Sequence, residues 1–155
     1  MPIEKEEVSF TYDLEELLNE VPEDEREDAA FEAGEIALQK VHEYMGKRVS
    51  PVNGQGKFDA LRKGPYRDFK KSKVGNTKAN LRLTGELIES MEVDADDRSF
   101  TISVGGDKNN VAKAYNHNEG DTVIQRQFLP NEEVEGQTFK RSIVKAIKET
   151  ISKYK

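Results

Sequence analysis

Residues 100–104 read Phe-Thr-Ile-Ser-Val, apolar at every second position with hydroxyls between, and Gly105-Gly106-Asp107 ends the run. A period of two is the signature of a strand with one face buried, so this segment needs both a sheet and a cover for its apolar side. The cover is written just upstream. From Leu83 to Met91, Thr84 is placed to cap a helix, and Leu87, Ile88 and Met91 fall on one helical face. A helix face and a strand face in succession predict an α+β fold: a small antiparallel sheet packed by helices that lie mainly on one side.

The other elements are read the same way. Val8, Phe10 and Tyr12 alternate, predicting a first strand over 7–12. Asp13 is placed to cap a short helix carrying Leu14, Leu17, Leu18 and Val21, and Pro22 suits the opening of the next one. From Glu23 to Met45 the composition favours a long helix, acidic in its first turns, with Gly46 positioned to stop it. Ala30, Ala37 and Tyr44 recur every seven residues, as do Phe31, Leu38 and Met45, with Gly34 and Val41 between them. Together they predict one apolar seam facing the core or a neighbouring helix. Strands are predicted over 92–104, as a pair, and over 122–128, with a short helix at Val111 to His117 closed by turn residues Asn118 and Gly120. After Gly136, Phe139, Ile143, Ile147 and Ile151 recur every four residues, the clearest amphipathic helix in the chain. Its lysines, Lys148, Lys153 and Lys155, suit a helix C-terminus.

The chain of 155 residues is the size of a single domain, 1–155. Hydrophobic and charged residues each make up 35%, so the core is modest and much of the surface is available for solvent or partners. There is no cysteine. That removes disulfides, a thiolate nucleophile and most zinc sites. Met1 to Glu7 lacks the basic and apolar parts of a secretory leader and no run approaches a membrane span, so the expectation is a soluble protein made inside a cell.

The net charge of −6 hides a polarity. Residues 47–82 hold 11 Lys and Arg against 2 Asp, and the remainder holds 13 basic against 28 acidic residues. Residues 47–80 show no sustained apolar period and read as a long basic loop or arm, entered through Ser50-Pro51-Val52. In it Lys57, Arg62, Lys63, Arg67, Lys70, Lys71 and Lys73 are interleaved with Tyr66 and Phe69. Cations that neutralise phosphates beside rings that stack on bases fit a nucleic-acid-binding module. The same segment also fits docking on an acidic neighbouring subunit, where charge sets the register. Both readings are open.

Catalytic patterns fall short. Gly54-Gln55-Gly56-Lys57 is half of a phosphate loop, but Pro51 stands where a glycine is needed and Phe58 where a hydroxyl is needed. Asp94, Asp96 and Asp97 resemble the start of a calcium loop, yet Ser99 and Gly105 occupy its sixth and twelfth positions, so a solvated turn is expected. His42 and His117 stand alone, without the spacing of a metal pair or a nucleophile to serve. For His117 a structural hydrogen bond to the turn near Gly120 is the expectation. No enzyme, cofactor or metal site is expected.

Taken in order, Leu83 to Met91 with Thr84, Gly85, Leu87 and Ser90, then Ile102 to Gly105, then Ala114, then His117, Asn118 and Gly120, then Gln125 to Pro130 with Arg126, Phe128, Leu129 and Pro130, resemble the tail-completion or virion-morphogenesis proteins of tailed bacteriophages. In this chain Lys113-Ala114-Tyr115-Asn116 stands where the family has a small apolar or Tyr-Ala step. The resemblance implies a structural neck protein at the head–tail junction of the virion, assembled in the host cytoplasm. It implies a ring of copies of itself, a hexamer, between the head-side connector and the tail tube, with DNA passing through and no membrane.

Overall fold

The computed structural model describes residues 8–57, 89–105, 111, 114–115, 118, 127–131 and 134–155. Phe100, Ile102 and Val104 lie buried in strand β3 (Ser99–Val104), with Thr101 and Ser103 half-exposed between them. This central strand pairs antiparallel with β1 (Ser9–Asp13) and with β2 (Met91–Ala95), giving the order β1-β3-β2. The register aligns Phe10, Ile102 and Val93 in one row and Tyr12, Phe100 and Ala95 in the next. One face is therefore apolar. The opposite face carries Thr11, Thr101 and Asp94, with the two threonine hydroxyls 2.8 Å apart.

Met91 begins β2 instead of ending the upstream helix. Glu89 is still helical, Ser90 turns, and Met91 pairs with Val104 and is buried. Its apolar character fits either element, and the hairpin decides between them. The β2–β3 turn is tied by Asp96, whose carboxylate accepts the N–H groups of Arg98 and Ser99, each at 2.8 Å, and the Ser99 hydroxyl at 3.2 Å. The expected solvated turn is what forms. The Arg98 N–H first, and then the Ser99 donors, hold the Asp96 carboxyl below its ordinary 3.8. That stabilisation is complete above the ordinary carboxylate range and is lost as pH falls through the lower folded value. Asp96→Ala is expected to cost about 1 kcal/mol at neutral pH, as losing a capping side chain does. In urea melts the gap from wild type should shrink as the pH is lowered below 4.

One long helix packs on β2 and β3. α1 (Glu15–Leu18) follows β1, its Glu15 N–H accepted by the Asp13 carboxylate at 2.9 Å. One 3-10 turn (Glu23–Glu25) then leads into α2 (Arg26–Gly46). Ala29, Ala30, Ala33, Gly34 and Ala37 are all buried, and these small residues let α2 approach its neighbours closely. The seven-residue seam divides: Ala30, Ala37, Val41 and Met45 face the core, whereas Phe31 is 43% exposed and Leu38 only half-buried. A spacing of seven places residues in line along a helix but does not say how wide the covered stripe is.

α3 (Arg141–Ser152) packs against α2 through Ile143, Ile147 and Ile151. Phe139 precedes it, forming a bridge with Val52, and its ring meets that of Phe10 edge-on at 5.2 Å. The stripe thus starts two residues before the helix does.

Gly46 does not stop α2. The Arg48 N–H bonds to the Met45 carbonyl and the Val49 N–H to the Tyr44 carbonyl, each at 3.0 Å, a Schellman closure with Arg48 in the left-handed region at φ 62°. Only glycine adopts that region without strain. Arg48→Gly is expected to add about 0.5–1 kcal/mol, read as a higher urea midpoint. From there the chain is stitched to the body: the Asn53 N–H bonds to the Thr138 carbonyl and the Lys140 N–H to the Pro51 carbonyl, both at 2.8 Å. The opening of the expected basic loop is therefore anchored as far as Lys57, which bridges Val49. Residues 58–80 of that loop lie outside the described residues. Among the described residues no helix is long and apolar enough to cross a membrane.

Candidate functional site

The segment Gln127 to Pro130 is buried without strand pairing, so the end of the expected 122–128 strand is held in another way. Asn118, itself 3% exposed, accepts the Phe128 N–H at 2.8 Å and the Leu129 N–H at 3.0 Å on its side-chain oxygen. Gln127 donates to the Leu129 carbonyl at 3.0 Å and to the Gln137 side-chain oxygen at 2.5 Å, and that oxygen also accepts the Asn131 N–H. The Ser50 hydroxyl donates to the Gln127 carbonyl at 2.5 Å and accepts the Val52 N–H at 3.1 Å. Buried backbone groups must find partners, and here carboxamides and a hydroxyl provide them where no ladder does.

This polar knot brings together pieces that are far apart in sequence. Asn118, Phe128, Leu129 and Pro130 meet within it, and Ser50 joins from the start of the basic segment. Ser90 lies apart, its carbonyl accepting the Gly105 N–H at 2.8 Å. Thr84, Gly85, Leu87, His117, Gly120 and Arg126 lie outside the described residues, as do Arg62, Lys63, Tyr66, Arg67, Phe69, Lys70, Lys71 and Lys73. Val111, Ala114, Tyr115 and Asn118 are each helical, so Asn118 is not the turn residue expected at that position. Gln127 and Gln137 escaped the sequence reading because an amide's partners are set by tertiary contact and leave no periodic trace.

The chain matches no protein-family model, no curated protein and no solved structure.

The surface of α2 is the second feature. Phe31, Glu35, Leu38 and Glu43 from one side of the helix, with Val93 from β2, line a groove of about 530 Å³. Among the described residues, Val93 lies in the edge strand of the sheet. The bonds Asp96 N–H to Ser99 and Gly105 N–H to Ser90 bracket the hairpin, so by antiparallel alternation Glu92 and Asp94 bond inward to β3, and the N–H groups of Met91, Val93 and Ala95 point outward. The Ala95 N–H is taken by the Asp94 carboxylate at 3.0 Å. Among the described residues no strand pairs with Met91 or Val93 on that side.

The groove lies in an acidic neighbourhood. Residues 15–43 hold 11 Asp and Glu against two cations, Arg26 and Lys40. Glu20 pairs with Lys155 at 2.9 Å and Glu43 with Lys40 at 3.5 Å, while among the described residues Glu27, Asp28 and Glu35 make no salt bridge. The local field is visible on Tyr154. Its hydroxyl donates to Glu32, and that bond first, then burial and the charges of Glu32, Asp28 and Glu25, push its pKa up to about 12. Such a surface attracts cations and repels phosphates.

Proposed function

We propose that this chain is a neck protein of a tailed bacteriophage, a tail-completion protein that assembles into a ring of its own copies between the head-side connector and the tail tube. The phage assignment rests on the ordered motif pieces from Leu83 to Pro130. The observation that carries the assembly reading is the charge polarity. An exposed acidic helical surface on one side, with 11 acidic residues against two cations in residues 15–43, is matched by 11 cations against 2 acids in residues 47–82. Two unlike surfaces on one chain make head-to-tail contacts, and such contacts close into a ring when the rotation between neighbours divides a full turn. The work is interface formation, with no catalytic step, in the virion.

The deciding measurement is molar mass by light scattering at low and moderate salt, alone and mixed with connector and tail-tube proteins. A ring, formed alone or on mixing, and loosened by salt, is the expected result. A chain that assembles with nothing but retains duplex DNA at low salt points instead to a nucleic-acid-binding module using residues 47–82, whose retention should fall steeply with salt.

A further inference from the structure

We propose that the groove between α2 and the edge strand β2 is the docking site for a second copy of this chain, which lays residues 67–71 of its basic segment along it. This names a contact within the self-assembly reading and rests on that reading, though not on the phage assignment.

Three features of the groove select an extended, basic, aromatic-centred segment. Its floor is a strand edge, where the Met91 and Val93 backbone groups are placed to pair with an added strand. Its wall is apolar at Leu38, which lines it with Val93, and at the 43% exposed Phe31, one helical turn beyond Glu35. An exposed phenylalanine that rims a strand edge leaves apolar surface to be covered. On either side of Leu38 along α2 stand the exposed carboxylates Glu35 and Glu43, the second of them shared with Lys40 at 3.5 Å.

The sequence contains a segment of that pattern in its cationic stretch. In an extended strand alternate residues share a face, so Arg67, Phe69 and Lys71 present a ring flanked by two cations, with Asp68 and Lys70 on the other side. The spacings agree. Glu35 and Glu43 are eight helical residues apart, about 12 Å. Arg67 and Lys71 are four strand residues apart, about 13 Å. With each cation near one carboxylate, Phe69 falls over Leu38 and Val93. Groove and segment are different surfaces, so the contact is head-to-tail, as a ring requires.

The test uses the full chain and a fluorescent peptide of residues 62–73. Binding that saturates at low salt is expected, weakened at least about tenfold when the chain carries Glu35→Lys with Glu43→Lys, and weakened again when Phe69 of the peptide is replaced by Ala. Both glutamates are exposed, so the double variant keeps its fold. A peptide that does not bind, or that binds the double variant equally well, overturns the proposal. In the full chain the double variant should lose self-association, and adding Arg67→Glu with Lys71→Glu to the same chain should restore it. Assembly that ignores all four changes overturns the groove contact and leaves the ring reading standing. A wild-type chain that stays monomeric under every condition removes the ring reading, and the peptide result then decides the groove alone.

Discussion

Asn118→Ala is expected to destabilise the fold by about 3 kcal/mol, because one carboxamide oxygen serves two buried backbone donors. The Phe128 and Leu129 N–H groups reach it at 2.8 and 3.0 Å, and both residues are fully buried. A buried donor left without a partner costs about 1–3 kcal/mol, and truncation strands two of them. The loss also frees the segment that carries Gln127, whose own amide bonds to Leu129 and Gln137 depend on the same backbone path. Urea melts are the readout, with the midpoint falling and the slope unchanged if the native state stays compact. Ser50→Ala removes a different tie to the same knot, the bond to the Gln127 carbonyl. If the knot acts as a unit, the double variant should cost less than the two single changes together. A loss well below about 1 kcal/mol for Asn118→Ala would mean that water enters and replaces the carboxamide.

The parts of the fold that the sequence makes legible are those fixed by a local period. Phe100, Ile102 and Val104 announce their strand, and Ile143, Ile147 and Ile151 their helix, because burying one face needs a repeat that the backbone geometry dictates. Boundaries are less legible where one residue satisfies two periods. Met91 completes the spacing of Leu87 and Ile88 on a helix, yet it also precedes Val93 by two, and pairing with Val104 settles the matter. Phe31 shows a different limit. Its heptad spacing with Leu38 and Met45 is real, but a shared spacing does not set the width of the covered stripe, and a position read as core lines a groove at 43% exposure. The polar knot leaves the weakest trace of all. Asn118 and Gln127 act on backbone groups that are distant or irregular, and a side-chain amide in sequence looks the same whether it faces water or a buried carbonyl.

Gly34→Val should destabilise the fold by about 3 kcal/mol, at the upper end of what overpacking costs, even though it replaces a poor helix former inside a helix. A Cβ at residue 34 would stand 2.5 Å from Val93 Cγ1 and 3.0–3.1 Å from the ring and Cβ of Phe100. Glycine disfavours a helix by about 1 kcal/mol relative to alanine, so propensity alone argues for substitution, and a β-branched residue recovers only part of that gain. The clash is larger than the gain. Val93 of β2 and Phe100 of β3 belong to directly paired strands, and Phe100 is fully buried with its ring stacked on that of Tyr12 at 5.5 Å, so the ring cannot move without disturbing the sheet. Relief therefore comes from α2 lifting away from β2, which widens the groove at Val93. Gly34→Ala, with a single added carbon, is expected to cost about 1–2 kcal/mol by the same route. The order wild type, Ala, Val in urea midpoint would establish close approach as the reason for the glycine. An alanine variant more stable than wild type would show that helix propensity outweighs the contact, and that α2 lies farther from the sheet in solution.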